Sequence, residues 1–290
     1  MSEFVIMTDS SCDLPASLAE QMELTVLPLY VDVDGQKYTN YLDEREISFA
    51  EIYAKLRTKC PAKTSAVNMN DFMGPMEGLL SEGKDVLYIG FSSGLSGTFN
   101  AGALAARELT EKYPERRIYA VDSLCASMGQ GLLVWHAWQK KQAGASIEEV
   151  RDFVEATKLH LCHWFTIDDL MFLKRGGRIS GATAVVGSML SIKPVMHVDN
   201  EGHLIKVDTA RGRKASIRAL AEKASQLGEN LEEQTVFISH GDCLDDANFL
   251  ADIMRSRFNV KDVVISYVGP VIGAHSGPGT VALFFLGKER

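Results

Sequence analysis

Asp85-Val86-Leu87-Tyr88-Ile89-Gly90-Phe91-Ser92-Ser93-Gly94-Leu95-Ser96-Gly97-Thr98 begins as an apolar run and ends in a loop of hydroxyls and glycines. A short apolar run bounded by turn residues reads as a strand buried on both faces. An Ala-rich helical pattern follows from Phe99 to Lys112, and Arg117 to Val121 is the next strand, ending in Asp122-Ser123. Strand, helix and strand at this spacing make a βαβ unit, and such units build parallel sheets. Toward the N-terminus, Phe4 to Thr8 is a short strand ending in Asp9-Ser10-Ser11, with Asp13 and Pro15 starting a helix. Leu24 to Val33 is β-rich and closes at the turn pair Asp34-Gly35. Ser48-Phe49-Ala50-Glu51 is a capping box ahead of an amphipathic helix. Toward the C-terminus, a helix runs through Trp135 and Trp138.

The pattern then changes. Ser146-Ile147-Glu148-Glu149 is a second capping box, and a domain boundary is expected between Gln142 and Leu161. Pro194 to Thr209 reads as two strands meeting at Asn200-Glu201-Gly202, a hairpin. Strands at Thr235 to Ser239, Val263 to Val268 and Val281 to Leu286 surround a helix from Asp245 to Phe258. The expected architecture is α/β with two domains. Residues 1–155 form an N-terminal, mainly parallel βαβ sheet domain, and residues 156–290 form a C-terminal mixed-sheet α/β domain. No internal repeat or low-complexity segment is visible.

Composition narrows the function classes. At 290 residues and 46% hydrophobic, the chain is globular and long enough for two domains. A net charge of -8 and a pI near 5.4 argue against nucleic acid, which needs a basic surface. The five cysteines are scattered without a C-x-x-C pair, so neither a disulfide framework nor a structural zinc is expected. His160, Cys162 and His163 lie close together, but no second ligand cluster follows, and no metal is expected. The stretch after Met1 lacks the basic and apolar regions of a signal peptide, and no run is long enough to span a membrane. A soluble, cytoplasmic protein is the expectation.

Candidate chemistry concentrates at strand ends. Asp9-Ser10-Ser11, Thr64-Ser65, Ser92 to Thr98 and Asp122-Ser123 follow strands of the first domain, where open parallel sheets bind ligands. Each alone is also an ordinary turn or cap residue set. In Asp169 to Ser180, a helix ends at Gly176-Gly177. Lys174 and Arg175 answer to the negative end of its dipole. Arg178 lies past the turn and is suited to meeting a carboxylate or phosphate. Gly269 to Thr280 sets His275 among four glycines and two prolines, read as a loop that leaves the ring free to reach a ligand. Gly90-Phe91-Ser92-Ser93-Gly94 matches the nucleophile elbow of α/β-hydrolases. Ser92, Asp122 or Asp242, and His275 would complete the order of a serine acyl hydrolase, an alternative that stays open on sequence. No Walker-type phosphate loop occurs.

Taken in order, six stretches resemble the DegV family of fatty-acid-binding proteins. They are Thr8 to Leu14, Thr64-Ser65, Ser92 to Thr98, Asp168 to Ser180, Lys193-Pro194 and Gly273 to Thr280. One departure is that Thr64-Ser65-Ala66-Val67 lacks the proline that often closes that motif. The resemblance implies a carrier, not an enzyme, that holds one long-chain, palmitate- or oleate-like fatty acid between its domains. It also implies a partner, the catalytic subunit of fatty acid kinase, which phosphorylates the bound carboxylate for phospholipid synthesis. No cofactor or ATP site is implied. Thr64, Ser65, Ser93, Ser96, Arg178 and His275 are the residues expected at the carboxylate. Met171, Phe172, Leu173, Ile179, Met189, Leu190 and Ile192 are candidates for the tail. Lys174 and Arg175, with Arg211 and Arg213 of a second basic cluster, are expected to dock the kinase.

Overall fold

The computed structural model describes residues 3–179 and 191–290. β1 (Phe4–Asp9) is followed by α1 (Ala16–Gln21) and β2 (Thr25–Leu27). Next come β3 (Tyr30–Val33), β4 (Gln36–Thr39), α2 (Phe49–Arg57), β5 (Ala62–Ser65) and α3 (Met69–Ser81). The βαβ unit read from the sequence is β6 (Asp85–Gly90), α4 (Thr98–Lys112) and β7 (Ile118–Asp122). These strands build a four-stranded parallel sheet in the order β2-β1-β6-β7. All six residues of β6 are buried, as an apolar run covered on both faces requires. The capping boxes at Ser48/Glu51 and Ser146/Glu149 both form their reciprocal hydrogen bonds.

The stretch from Leu24 to Val33 is not one strand. It breaks after Leu27, and β3 leaves the parallel sheet to join a separate antiparallel sheet in the order β4-β3-β5. Pro28 has no N–H to continue a ladder, and its ring disfavours an uninterrupted strand interior. The Asp34-Gly35 turn is a tight hairpin with both residues at positive φ, 57° and 78°. Thr64-Ser65, read as a loop beyond a strand, lies inside β5 opposite Val31 and Tyr30.

α5 (Met128–Gln142) and α6 (Ile147–Thr157) lead to a six-stranded mixed sheet. β8 (Leu161–Thr166), α7 (Met171–Arg175), β9 (Ile192–Val198) and β10 (Leu204–Arg211) come first. α8 (Arg213–Leu227), β11 (Thr235–His240), α9 (Leu244–Phe258), β12 (Asp262–Tyr267), α10 (Pro270–Ser276) and β13 (Val281–Leu286) follow. The order is β10-β9-β8-β13-β11-β12, with β11 and β12 parallel and the other neighbours antiparallel. The predicted β9–β10 hairpin is present. The glycine-rich stretch around His275 is not a loop: Pro270 sits in the first turn of α10, where its missing N–H costs nothing.

α5 decides how the halves meet. Eight of its residues are buried, and it packs on β1 and β6 of the parallel sheet and on β8, β11 and β13 of the mixed one. A helix covered on opposite faces has no polar stripe to show in its sequence. One core cluster consequently runs through both halves, from Phe4, Ile6 and Leu87 to Leu161, Phe237 and Phe284.

Candidate functional site

A cavity of about 930 Å³, counted out to its solvent mouth, draws its walls from both halves of the chain. β5 contributes Thr64 and Ser65, the β6–α4 loop Leu95 and Ser96, and α10 Val271 and His275. Phe165 of β8 and Phe284 of β13 add aromatic surface from the mixed sheet, and Leu173 and Arg178 come from α7 and its exit.

Of the six residues expected around a carboxylate, Thr64, Ser65, Ser96, Arg178 and His275 line this cavity. Ser93 does not. It is exposed, and its N–H donates to Asp122 at 3.2 Å, so its loop position is set by that carboxylate. Thr64 Oγ1 and His275 Nε2 are 2.8 Å apart. His275 Nδ1 is buried and has no partner among the described residues. An unpaired buried N–H is costlier than an unpaired lone pair, which assigns the proton to Nε2. Nε2–H then donates to Thr64, whose own O–H is free to donate into the cavity. Burial, with the nearby Arg178 guanidinium, pushes the His275 pKa down to about 4, so the ring is neutral at pH 7.

Gly176 and Gly177 have different roles at the end of α7. The Gly176 φ of -71° is open to any residue, but a side chain there would overlap His275 Nδ1. Gly177 is the residue at positive φ, 68°. The paired glycines therefore serve two purposes, one a close approach and one a turn. Arg178 Nε donates to Leu95 O at 3.3 Å and Nη1 to Gly176 O at 2.5 Å, tying the α7 exit to the hydroxyl loop. Ser96 Oγ pairs with Thr98 Oγ1 at 2.9 Å and accepts from Thr98 N–H at 3.2 Å.

Other expected residues fall elsewhere. Among the tail candidates Leu173 lines the cavity, whereas Met171 is 48% exposed and Ile179 belongs to the general core. Phe172 packs against Gly277 and under Arg175. Ile192 is half-buried and not part of the wall, and Met189, Leu190 and Ser180 lie outside the described residues. Lys174, Arg175 and Arg211 are exposed. Arg213 is committed to Asp246 at 2.8 Å and to Asp168 at 3.6 Å. No group of side chains suited to a metal occurs among the described residues. No described helix is long and apolar enough to cross a membrane.

The hydrolase alternative does not assemble. Ser92 is fully buried and its Oγ donates to Gly202 O at 2.9 Å, while His275 is bonded to Thr64. Asp122 accepts from the N–H groups of Ser93 and Leu124, and Asp242 pairs with Arg57 and Tyr267. A nucleophile needs its base within hydrogen-bond reach, and each partner here is bonded elsewhere.

The structure adds polar wall residues that sequence reading missed. Ser127 and Ser239 line the cavity 3.0 Å apart, and Ser127 donates to Asp13 at 2.6 Å. Burial pushes the Asp13 pKa up to about 8 against the opposing bond from Ser127. Asp13 sits in a motif quoted from the N-terminus, but Ser127 is 114 residues away and nothing local links them.

The profile of the DegV family, described as an uncharacterised protein family, matches residues 3–288. A DegV domain-containing protein of Clostridium perfringens is 45% identical over 290 residues, spanning 100% of this chain and 99% of that one. A DegV family protein of Thermus thermophilus, described by its fatty acid binding, superposes with a TM-score of 0.88 at 31% identity, covering 99% and 100% of the two chains. A DegV lipid-binding protein of Thermotoga maritima gives 0.86 at 30% identity, covering 99% of each. With the profile spanning nearly all of its length and a relative this similar, the chain belongs to the DegV family.

Proposed function

We propose that this protein is a non-enzymatic carrier that holds one long-chain fatty acid in the cavity between residues 1–155 and 156–290. The observation that carries this reading is the make-up of the cavity: a largely apolar enclosure with the Thr64–His275 pair, Ser65, Ser96 and Arg178 in its wall. Each methylene removed from water contributes about 0.8 kcal/mol, so a palmitoyl-length tail gains on the order of 10 kcal/mol. A buried carboxylate costs several kcal/mol unless donors meet it. The Thr64 hydroxyl, freed by the His275 tautomer, is the first of these donors. Ser65 and Ser96 add hydroxyls, and Arg178 adds charge. The neutral His275 acts through Thr64 without placing a cation in the wall. Two relatives described as binding fatty acid or lipid support the same reading.

Protein purified without added ligand is expected to release about one fatty acid per chain on solvent extraction, read by mass spectrometry. Protein that carries none and also takes up no palmitate or oleate would rule the carrier reading out.

In the fuller form of this reading, a partner kinase phosphorylates the bound carboxylate and the acyl phosphate enters phospholipid synthesis. The exposed cations Lys174, Arg175 and Arg211 are the residues that would meet it. Arg213 is a poorer candidate because Asp246 and Asp168 already hold it. Arg211→Ala is expected to leave lipid occupancy unchanged and to slow acyl-phosphate formation about 2- to 5-fold at limiting kinase, as for a single solvent-exposed charge. The difference should vanish at high salt, and wild-type rates at low salt would show that Arg211 only solvates the end of β10.

A further inference from the structure

Ser92 sits where a nucleophile elbow would place its serine, yet it neither touches His275 nor lines the cavity. Its side chain crosses to the other half of the molecule instead. Oγ donates to Gly202 O in the β9–β10 turn at 2.9 Å and accepts from Gly94 N–H at 3.2 Å. The fit is close from both sides. A side chain on Gly202, whose φ is +79°, would overlap Ser92 Oγ, and a Cβ on Gly94 would lie 2.8 Å from Glu201 O.

A second tie reinforces the same junction. The Arg290 guanidinium donates to Leu124 O at 2.7 Å on one side and to Asp199 O at 3.0 Å on the other. It also donates to Leu161 O at 3.1 Å, and no carboxylate pairs with it among the described residues. A planar fork of donors met by backbone carbonyls from separate segments acts as a cross-brace.

The junction bears directly on the cavity. Val198 and Leu204, on either side of the β9–β10 turn, line one wall. Leu95 and Ser96 line another, and both donate their N–H groups to Ser92 O at 3.0 and 3.1 Å. Ser92 thus holds one wall through its backbone and the other through its side chain.

We propose that Ser92 is a positioning residue whose bond to Gly202 latches these two walls together, so that breaking it sets how fast a fatty acid enters and leaves. This role rests on the fatty-acid reading above. The cavity mouth admits a long acyl chain to its full depth only when these two walls part. A bond made in both the empty and the filled closed states, and lost in the open one, slows entry and exit alike. It leaves the equilibrium between empty and filled protein nearly unchanged.

The test is stopped-flow binding and release of the fluorescent fatty acid cis-parinaric acid by the full chain. Ser92→Ala is expected to raise the association and dissociation rates together by about 3- to 10-fold, the effect of one neutral hydrogen bond, with Kd held within about 2-fold. Gly202→Ala attacks the same bond from the other side and should give the same paired acceleration. The double variant should add little to either single change. Loss of a binding contact, or general loosening of the fold, would raise dissociation alone and weaken Kd. That result, or wild-type rates in Ser92→Ala, overturns the latch. If Ser92→Ala does not fold, Gly202→Ala is judged by the same two rates. Failure of the wild-type protein to take up the probe would instead overturn the fatty-acid reading itself.

Discussion

Thr64→Val is expected to weaken fatty-acid binding by about 5- to 150-fold, the cost of leaving a buried carboxylate short of one donor. Valine preserves the branched shape of threonine, so the pairing of β5 with β3 through Val31 and Thr64 should survive. What disappears is the hydroxyl proposed as the first donor to the carboxylate. The His275 Nε2–H loses its acceptor at the same time, because Thr64 is its partner at 2.8 Å. Ser96→Ala should act in the same direction but less strongly, since Thr98 Oγ1 lies 2.9 Å from Ser96 Oγ and retains a hydroxyl nearby. Fluorescence titration with a fatty-acid probe reads both variants, and thermal melting checks that they fold. A Kd equal to wild type in Thr64→Val would move the carboxylate site away from this pair.

The second large effect is expected at a residue that carries no chemistry. Gly176→Ala introduces a methyl group that overlaps His275 Nδ1, although the backbone φ of -71° accepts alanine without strain. Forced overpacking of this kind costs about 1–3 kcal/mol, which corresponds to about 5- to 150-fold in affinity if the ring gives way. His275 is the group that gives way, since among the described residues its one side-chain hydrogen bond is to Thr64. The expected result is a large rise in Kd with a small change in melting temperature. In a His275→Ala background, Gly176→Ala should cost nothing further, because the atom it collides with is gone. An additional full-size loss in that background would mean that Gly176 acts on something other than His275.

These two sites differ in how far the amino-acid order announced them. The pairing of glycines at the end of α7 was visible, and so was the unusual setting of His275. Their connection was not, because Gly176 and His275 are brought together only when α7 packs against α10. The reading of Gly269 to Thr280 as a loop failed for a local reason. Glycine and proline discourage helix interiors, but Pro270 falls in the first turn, where the penalty vanishes. Gly273 is then needed inside the helix, since a Cβ there would come within 2.5 Å of the Tyr53 hydroxyl. Ser92 misled in the opposite sense. A Gly-x-Ser-x-Gly string between a strand and a helix suits a nucleophile, and it suits equally a serine that must fit beneath the turn containing Gly202.

Near-neighbour pattern was enough for the α/β class, the βαβ unit of β6, α4 and β7, the capped starts of α2 and α6, the β9–β10 hairpin and the family. Each is encoded within a few residues, in a hydrophobic period, a cap or a turn. The partition of the strands into three sheets was beyond that range, because the break after Leu27 matters only through the partners β3 finds in β4 and β5. So was the cavity. Thr64 and His275 are 211 residues apart in the chain, Ser127 and Asp13 are 114 apart, and Ser92 and Gly202 are 110 apart. Periodicity records which face of an element turns inward, but not which other element it will meet there. That choice is made when α5 is enclosed by both sheets, which brings scattered hydroxyls and one imidazole into the wall of one cavity.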